Sequence, residues 1–165
     1  MAAKPNPAKR SNSGSHASKK AERKRVWPLL AEFADWLKKE LDYSSKTVEE
    51  LLYKPWNAVY PEALLGDDII VDIENFLYDM AEFAVEKVFG EKIDTRFLVL
   101  IVPFGSYEGR SCVYVLEMKT KTVMASLEEK TWRFNTETME EDLKDLVGQL
   151  ERSKDLLAVR MVADA

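Results

Sequence analysis

Residues 94–120 read DTRFLVLIVPFGSYEGRSCVYVLEMKT and hold the densest apolar run in the chain. Phe97 to Val102 is apolar at every position, which predicts a central strand covered on both faces. Pro103, Gly105, Ser106 and Gly109 then punctuate a loop. The second strand alternates: Cys112, Tyr114, Leu116 and Met118 share one face, Val113, Val115, Glu117 and Lys119 the other. Antiparallel pairing across the loop sets Val102 opposite Cys112 and Phe97 opposite Glu117. A third strand is expected over Thr122–Leu127 and a fourth over Thr131–Phe134, as a hairpin around Glu128-Glu129.

Helices flank this core. Leu29, Phe33, Trp36, Leu37 and Leu41 recur at helical spacing, and Pro28 suits a first turn, where its missing N–H costs nothing. Asp42 to Ser45 breaks that helix. Thr47 with Glu50 reads as a capping box for a short helix that Pro55 ends. Trp56 and Tyr60 then stand in an aromatic, proline-rich stretch. It reads either as a binding loop or as a plug over the core. Asp67 and Asp68 open a long helix buried through Ile69, Ile73, Phe76, Leu77, Met80, Ala84 and Val88, with Gly90 as its stop. Asp72, Asp79, Glu82 and Glu86 line its other side, either as a solvated stripe or as a docking surface for a basic partner. Thr138 with Glu141 reads as a second capping box for a helix to Arg152, and Leu156–Val162 as a last strand. The expected fold is α+β: a mostly antiparallel sheet of four to five strands with two long helices and shorter helices packed on it.

Composition bounds the chemistry. The chain of 165 residues has one cysteine, Cys112, and one histidine, His16. A Cys/His zinc cage cannot be assembled from these, and a histidine-based triad would have to draw on His16 near the N-terminus. A lone cysteine suits a reducing compartment. No glycine-rich run opens a helix, so neither a phosphate loop nor a dinucleotide fingerprint is present. The longest apolar run is far shorter than a membrane helix needs, and the N-terminus lacks the apolar core of a secretory signal. The expectation is a cytoplasmic protein with no membrane partner and no cofactor.

Charge is divided unevenly. Residues 1–25 carry a net charge of +7, and the rest carries −12. This predicts a disordered basic arm, residues 1–25, ahead of a single domain, residues 26–165. Lys19, Lys20, Arg23, Lys24 and Arg25 form a cluster able to contact nucleic acid or an acidic protein surface. An acidic body with such an arm reads as a small non-catalytic binding or adaptor protein that engages a protein partner. Mimicry of nucleic acid by the acidic body is a further alternative.

One constellation carries catalytic chemistry. Glu117 and Lys119 lie two apart on one strand, and the pairing register brings Asp94 beside them. Two carboxylates on adjacent strands can bind Mg²⁺, and a lysine can position the attacking water. The pattern resembles the PD-(D/E)XK nuclease superfamily, and this implies Asp94 and Glu117 as metal ligands and Lys119 as the catalytic lysine. Glu82 or Glu86 would then be the acid supplied by the preceding helix. The chain departs from that pattern in two ways: no proline precedes Asp94, and further strands follow the Glu-x-Lys strand where the family places a helix. The order of helices and strands also resembles secretion chaperones.

Overall fold

The computed structural model describes residues 21, 23–53, 67–90, 96–104, 110–130 and 135–164, with side chains for all of these except 67–73, 103–104, 110, 129–130 and 160–164. The elements are α1 (Pro28–Glu40), α2 (Ser45–Tyr53), α3 (Asp67–Phe89), β1 (Phe97–Phe104), β2 (Arg110–Glu117), β3 (Thr122–Lys130) and α4 (Thr136–Asp164). A helical turn at 23–26 leads into α1. The fold is α+β, with a three-stranded antiparallel sheet in the order β1-β2-β3.

The register follows the expected pairing, with Phe97 opposite Glu117 and Val102 opposite Cys112. The surroundings of β1 do not. Among the described residues it is an edge strand, and only alternate residues are covered: Phe97 and Val99 are buried, while Leu98, Leu100 and Val102 are 40–46 % exposed. A continuous apolar run signals burial on both faces only when a second layer exists to cover the outer one. Here α3 and α4 pack on a single face of the sheet.

Three further expectations are corrected. β3 runs straight through Glu128-Glu129, so no hairpin turns there. The proposed strand at Leu156–Val162 is instead the end of α4, which continues to Asp164. Its residues lie in unbroken register with the helix, with no Gly or Pro to stop it. The sheet therefore has three strands among the described residues, not four to five, and Thr131–Phe134 lies outside them.

The helix starts are displaced from the expected boxes. Ser44, not Thr47, caps α2: its hydroxyl accepts from the Thr47 amide at 3.1 Å. Asn135 caps α4, its side-chain oxygen accepting from the Thr138 amide at 2.9 Å. In each case the capping side chain sits three residues before the amide it satisfies. Gly90 ends α3 at φ +70°, a conformation glycine adopts without a Cβ penalty.

The core lies between the sheet and the helices. α1 contributes Leu30, Phe33 and Leu37, α3 contributes Leu77, Met80 and Ala84, and α4 contributes Met139, Leu143, Leu146 and Leu150. The two sheet edges are treated differently. Gln149 of α4 pairs with both backbone groups of Ser126 on β3, accepting at 2.9 Å and donating at 2.8 Å. Ser153 donates to the Met124 carbonyl at 2.7 Å. Side chains thus satisfy the edge that a further strand would otherwise take. No hydrogen bond among the described residues does the same for the outer edge of β1.

The described acids of the α3 stripe are bonded rather than merely solvated, and the Asp72 side chain lies outside the described ones. Asp79 accepts from the Tyr43 hydroxyl at 3.0 Å, and Glu86 accepts from the Trp36 indole at 2.9 Å. Burial pushes the Asp79 carboxyl up to about 6; the Tyr43 hydrogen bond opposes this, and Glu82 adds to it. The folded chain therefore holds this proton more tightly than the unfolded one. Stability is expected to fall as pH rises from about 4 to about 6, by roughly 1–2 kcal/mol once solvent screening of the partly exposed group is allowed for. Asp79→Asn removes that slope, so urea midpoints of the variant and the parent should converge near pH 4 and separate near pH 8. An unchanged slope in the variant would show that other groups set it.

Candidate functional site

Glu117 and Lys119 fall in different elements. β2 ends at Glu117, and Lys119 sits exposed in the β2–β3 turn, off the strand. Glu117 is 3 % exposed and points inward. One carboxylate oxygen accepts from the Thr120 amide at 2.7 Å and from the Thr120 hydroxyl. The other faces the Arg96 guanidinium at 3.7 Å. Burial by itself would raise this carboxyl. The Thr120 hydroxyl and the amides of Thr120 and Lys119, with Arg96 behind them, hold it below its ordinary value. Both oxygens are thus engaged in closing the turn.

Glu117→Ala should leave the Thr120 amide and hydroxyl without their acceptor, at about 1–3 kcal/mol. Lys119→Ala should leave the unfolding midpoint unchanged. Paired urea titrations check both; equal effects would show that Glu117 does not hold the turn.

Asp94 lies outside the described residues, as do Lys19, Lys20, Trp56 and Tyr60. Among the described residues no three His, Cys, Asp or Glu side chains cluster as a metal site would require. Glu86 is bonded to Trp36, and Glu82 too has a partner.

Part of the basic cluster belongs to the body rather than to a free arm. Arg23 pairs with Glu49 at 2.7 Å, and its guanidinium lies 4.4 Å from the centre of the Tyr53 ring. Lys24 and Arg25 remain exposed on the same helical turn. Arg23, Lys24, Lys38, Asp35 and Glu49 line a shallow cleft of about 350 Å³ between this turn, α1 and α2. Its charges are mixed, so it has no single preference for phosphate.

The larger feature is the sheet face turned away from the helices. Leu98, Leu100 and Val102 of β1 are joined there by Met118 at 48 % and Val123 at 54 % exposure. Cys112, Tyr114 and Leu116 of β2 lie half-buried between the two edge strands. Tyr114 sits opposite Leu100 on one side and Ser126 on the other, so the face is continuous across all three strands. The Tyr114 hydroxyl is held above its ordinary value, chiefly by its hydrogen bond with the Cys112 thiol. Contiguous apolar patches of this kind mark interaction sites on soluble proteins. The signal was present in the sequence as one shared parity: 98, 100 and 102 against 112, 114, 116 and 118. It was masked because the intervening residues of β1 are apolar as well.

Comparison with models of known protein families, with curated proteins and with solved structures finds no match.

Proposed function

We propose that this is a non-catalytic binding protein that engages a protein partner through the open apolar face of its sheet. The uncovered side chains of Leu98, Leu100, Val102, Met118 and Val123 carry the reading. Leaving five large apolar side chains in water forgoes roughly 25 cal/mol per Å², which a partner would recover. The exposed basic residues Lys24 and Arg25, continuous in sequence with Lys19 and Lys20, add an electrostatic contact to nucleic acid or to an acidic surface. The lone cysteine favours a reducing compartment, and we propose the cytoplasm. Among the described residues no helix is long and apolar enough to cross a membrane.

The test is affinity purification of the full chain against a Leu98→Lys/Leu100→Lys variant. Both positions are exposed, so the variant should keep the parent circular dichroism spectrum and midpoint. The parent is expected to recover a stoichiometric protein that the variant loses. Identical recovery by both, or recovery by neither, would sink the reading. Weakening of the complex by salt would report the contribution of the basic residues.

A further inference from the structure

The open face has a size, and the size selects its occupant. This inference rests on the reading of that face as a protein-docking surface. Eight- and nine-residue strands at ~3.3 Å per residue, three abreast at ~4.8 Å, present roughly 400 Å². A stable pairing of two folded copies buries about 800 Å² on each partner. That figure counts accessible surface, and a flat footprint of this size falls short of it for two copies packed face to face. The face is about 14 Å wide and about 26 Å long by the same strand spacings. An α-helix with its side chains is about 10–12 Å across, and 26 Å of it contains about 17 residues. The opposite face of this sheet is already covered by helices, α3 and α4.

The charges at the ends give a direction. Lys119 and Lys121 are exposed in the β2–β3 turn, and neither ammonium has an ion pair or hydrogen-bond partner among the described residues. At the far end of the same face stands the exposed Glu128, next to Tyr114 electrostatically. A helix carries partial negative charge at its C-terminus and partial positive charge at its N-terminus. Laid along the strands, it sets its negative end against the two lysines in only one orientation.

We infer that the face accepts one amphipathic helix of about 17 residues from a protein partner, with the helix C-terminus and acidic residues in its last turn set against Lys119 and Lys121. Apolar residues at i, i+3, i+4 and i+7 fill the corrugation between Leu100, Tyr114 and Val123. The two lysines fix polarity.

The chain contains its own reporter. Cys112 is the only cysteine and lies half-buried on this face, opposite Val102. Its reaction with an aromatic disulfide reagent measures whether the face is covered. The probes are two synthetic amphipathic helices of about 18 residues with the same leucine stripe, end-blocked, one with glutamates in its last turn and one with lysines. With the full-length protein, saturating glutamate peptide is expected to slow the Cys112 reaction about tenfold or more. The lysine peptide should bind several-fold more weakly, and a Lys119→Glu/Lys121→Glu variant should reverse the preference.

Four outcomes overturn the inference in distinguishable ways. A freely reacting thiol that neither peptide protects removes the helix, and the affinity experiment then decides whether the face still docks a partner. Equal protection by both peptides in parent and variant removes the stated polarity. A reaction that slows as the protein itself is concentrated, with a dimer in sedimentation, assigns the face to a second copy. A thiol that stays unreactive at every dilution until the chain is unfolded shows that other residues of this chain cover the face, and that result overturns the docking reading too.

Discussion

Phe33→Ala is expected to cost about 3–5 kcal/mol, the upper range for truncation of a buried side chain. Phe33 is wholly buried on α1. Its ring lies 5.2 Å from Phe83, 5.8 Å from Phe76 and 6.0 Å from Trp36, centre to centre. Two of these neighbours stand on α3, so the ring joins α1 to one of the two helices that lie on the sheet. Removing it loses apolar burial and aromatic contacts, and leaves a cavity that three rigid rings cannot easily close. Against a total of about 5–15 kcal/mol, the loss should lower the melting temperature by roughly 10 °C. Phe33→Leu retains much of the volume and should lose about half as much or less. Urea and thermal unfolding measure both. A loss below about 1 kcal/mol for the alanine variant would mean that α1 does not dock on α3 in solution.

The second large effect is expected at Glu140, a buried carboxylate with an unusual task. α1 begins without help of its own: Trp27 at its N-cap offers no side-chain cap, and its first turn contains no acid. Pro28 removes one of the free amides, and two of those remaining are met from far along the chain. Glu140 of α4 accepts from the Leu30 amide at 2.9 Å and the Leu29 amide at 3.3 Å while being 1 % exposed. It thus caps α1 from another helix, and its negative charge sits at the positive end of the α1 dipole. Glu140→Ala strands buried amides and should cost about 2–3 kcal/mol, in the range of hydrogen bonds to charged groups. Glu140→Gln keeps one acceptor but turns a donor toward a donor, and should cost about half that. Hydrogen exchange separates this from general loosening: the Leu29 and Leu30 amides should lose protection beyond the global change. Unchanged protection at those two amides would show that the carboxylate is not their partner.

Phe33 and Glu140 also show how far sequence alone reaches. Phe33 was legible, since it lies on an apolar stripe at helical spacing and Pro28 marks the start of its helix. Even there the buried face turned out to be Leu30, Phe33, Ala34 and Leu37, rotated by about one residue from the stripe through Leu29, Trp36 and Leu41. Helix periodicity locates a face to within a residue, and the neighbour against which it packs decides the remainder. Glu140 was not legible. Its partners are 110 and 111 residues away, and nothing local distinguishes it from Glu141 beside it. The same holds for Glu117. Its place opposite Phe97 followed from the register, but its role depends on Thr120 and Arg96 closing on it. The Glu-x-Lys motif promised chemistry that needs both side chains on one strand face, and the strand ends between them.

The sequence by itself determined the α+β class, the antiparallel pairing of β1 with β2 and its register, the break after α1 and the stop at Gly90. These follow from local rules: alternation along a strand, turn residues in a loop, and a conformation that glycine favours. Only the tertiary structure decided that β1 is an edge strand with a bare face, that α4 runs on through 156–162, and that Glu117 and Glu140 serve the fold. Each of those outcomes depends on which layer lies opposite a residue. A residue's own pattern shows that it is apolar or charged, whereas the element packed against it determines whether it is covered, paired or left for a partner.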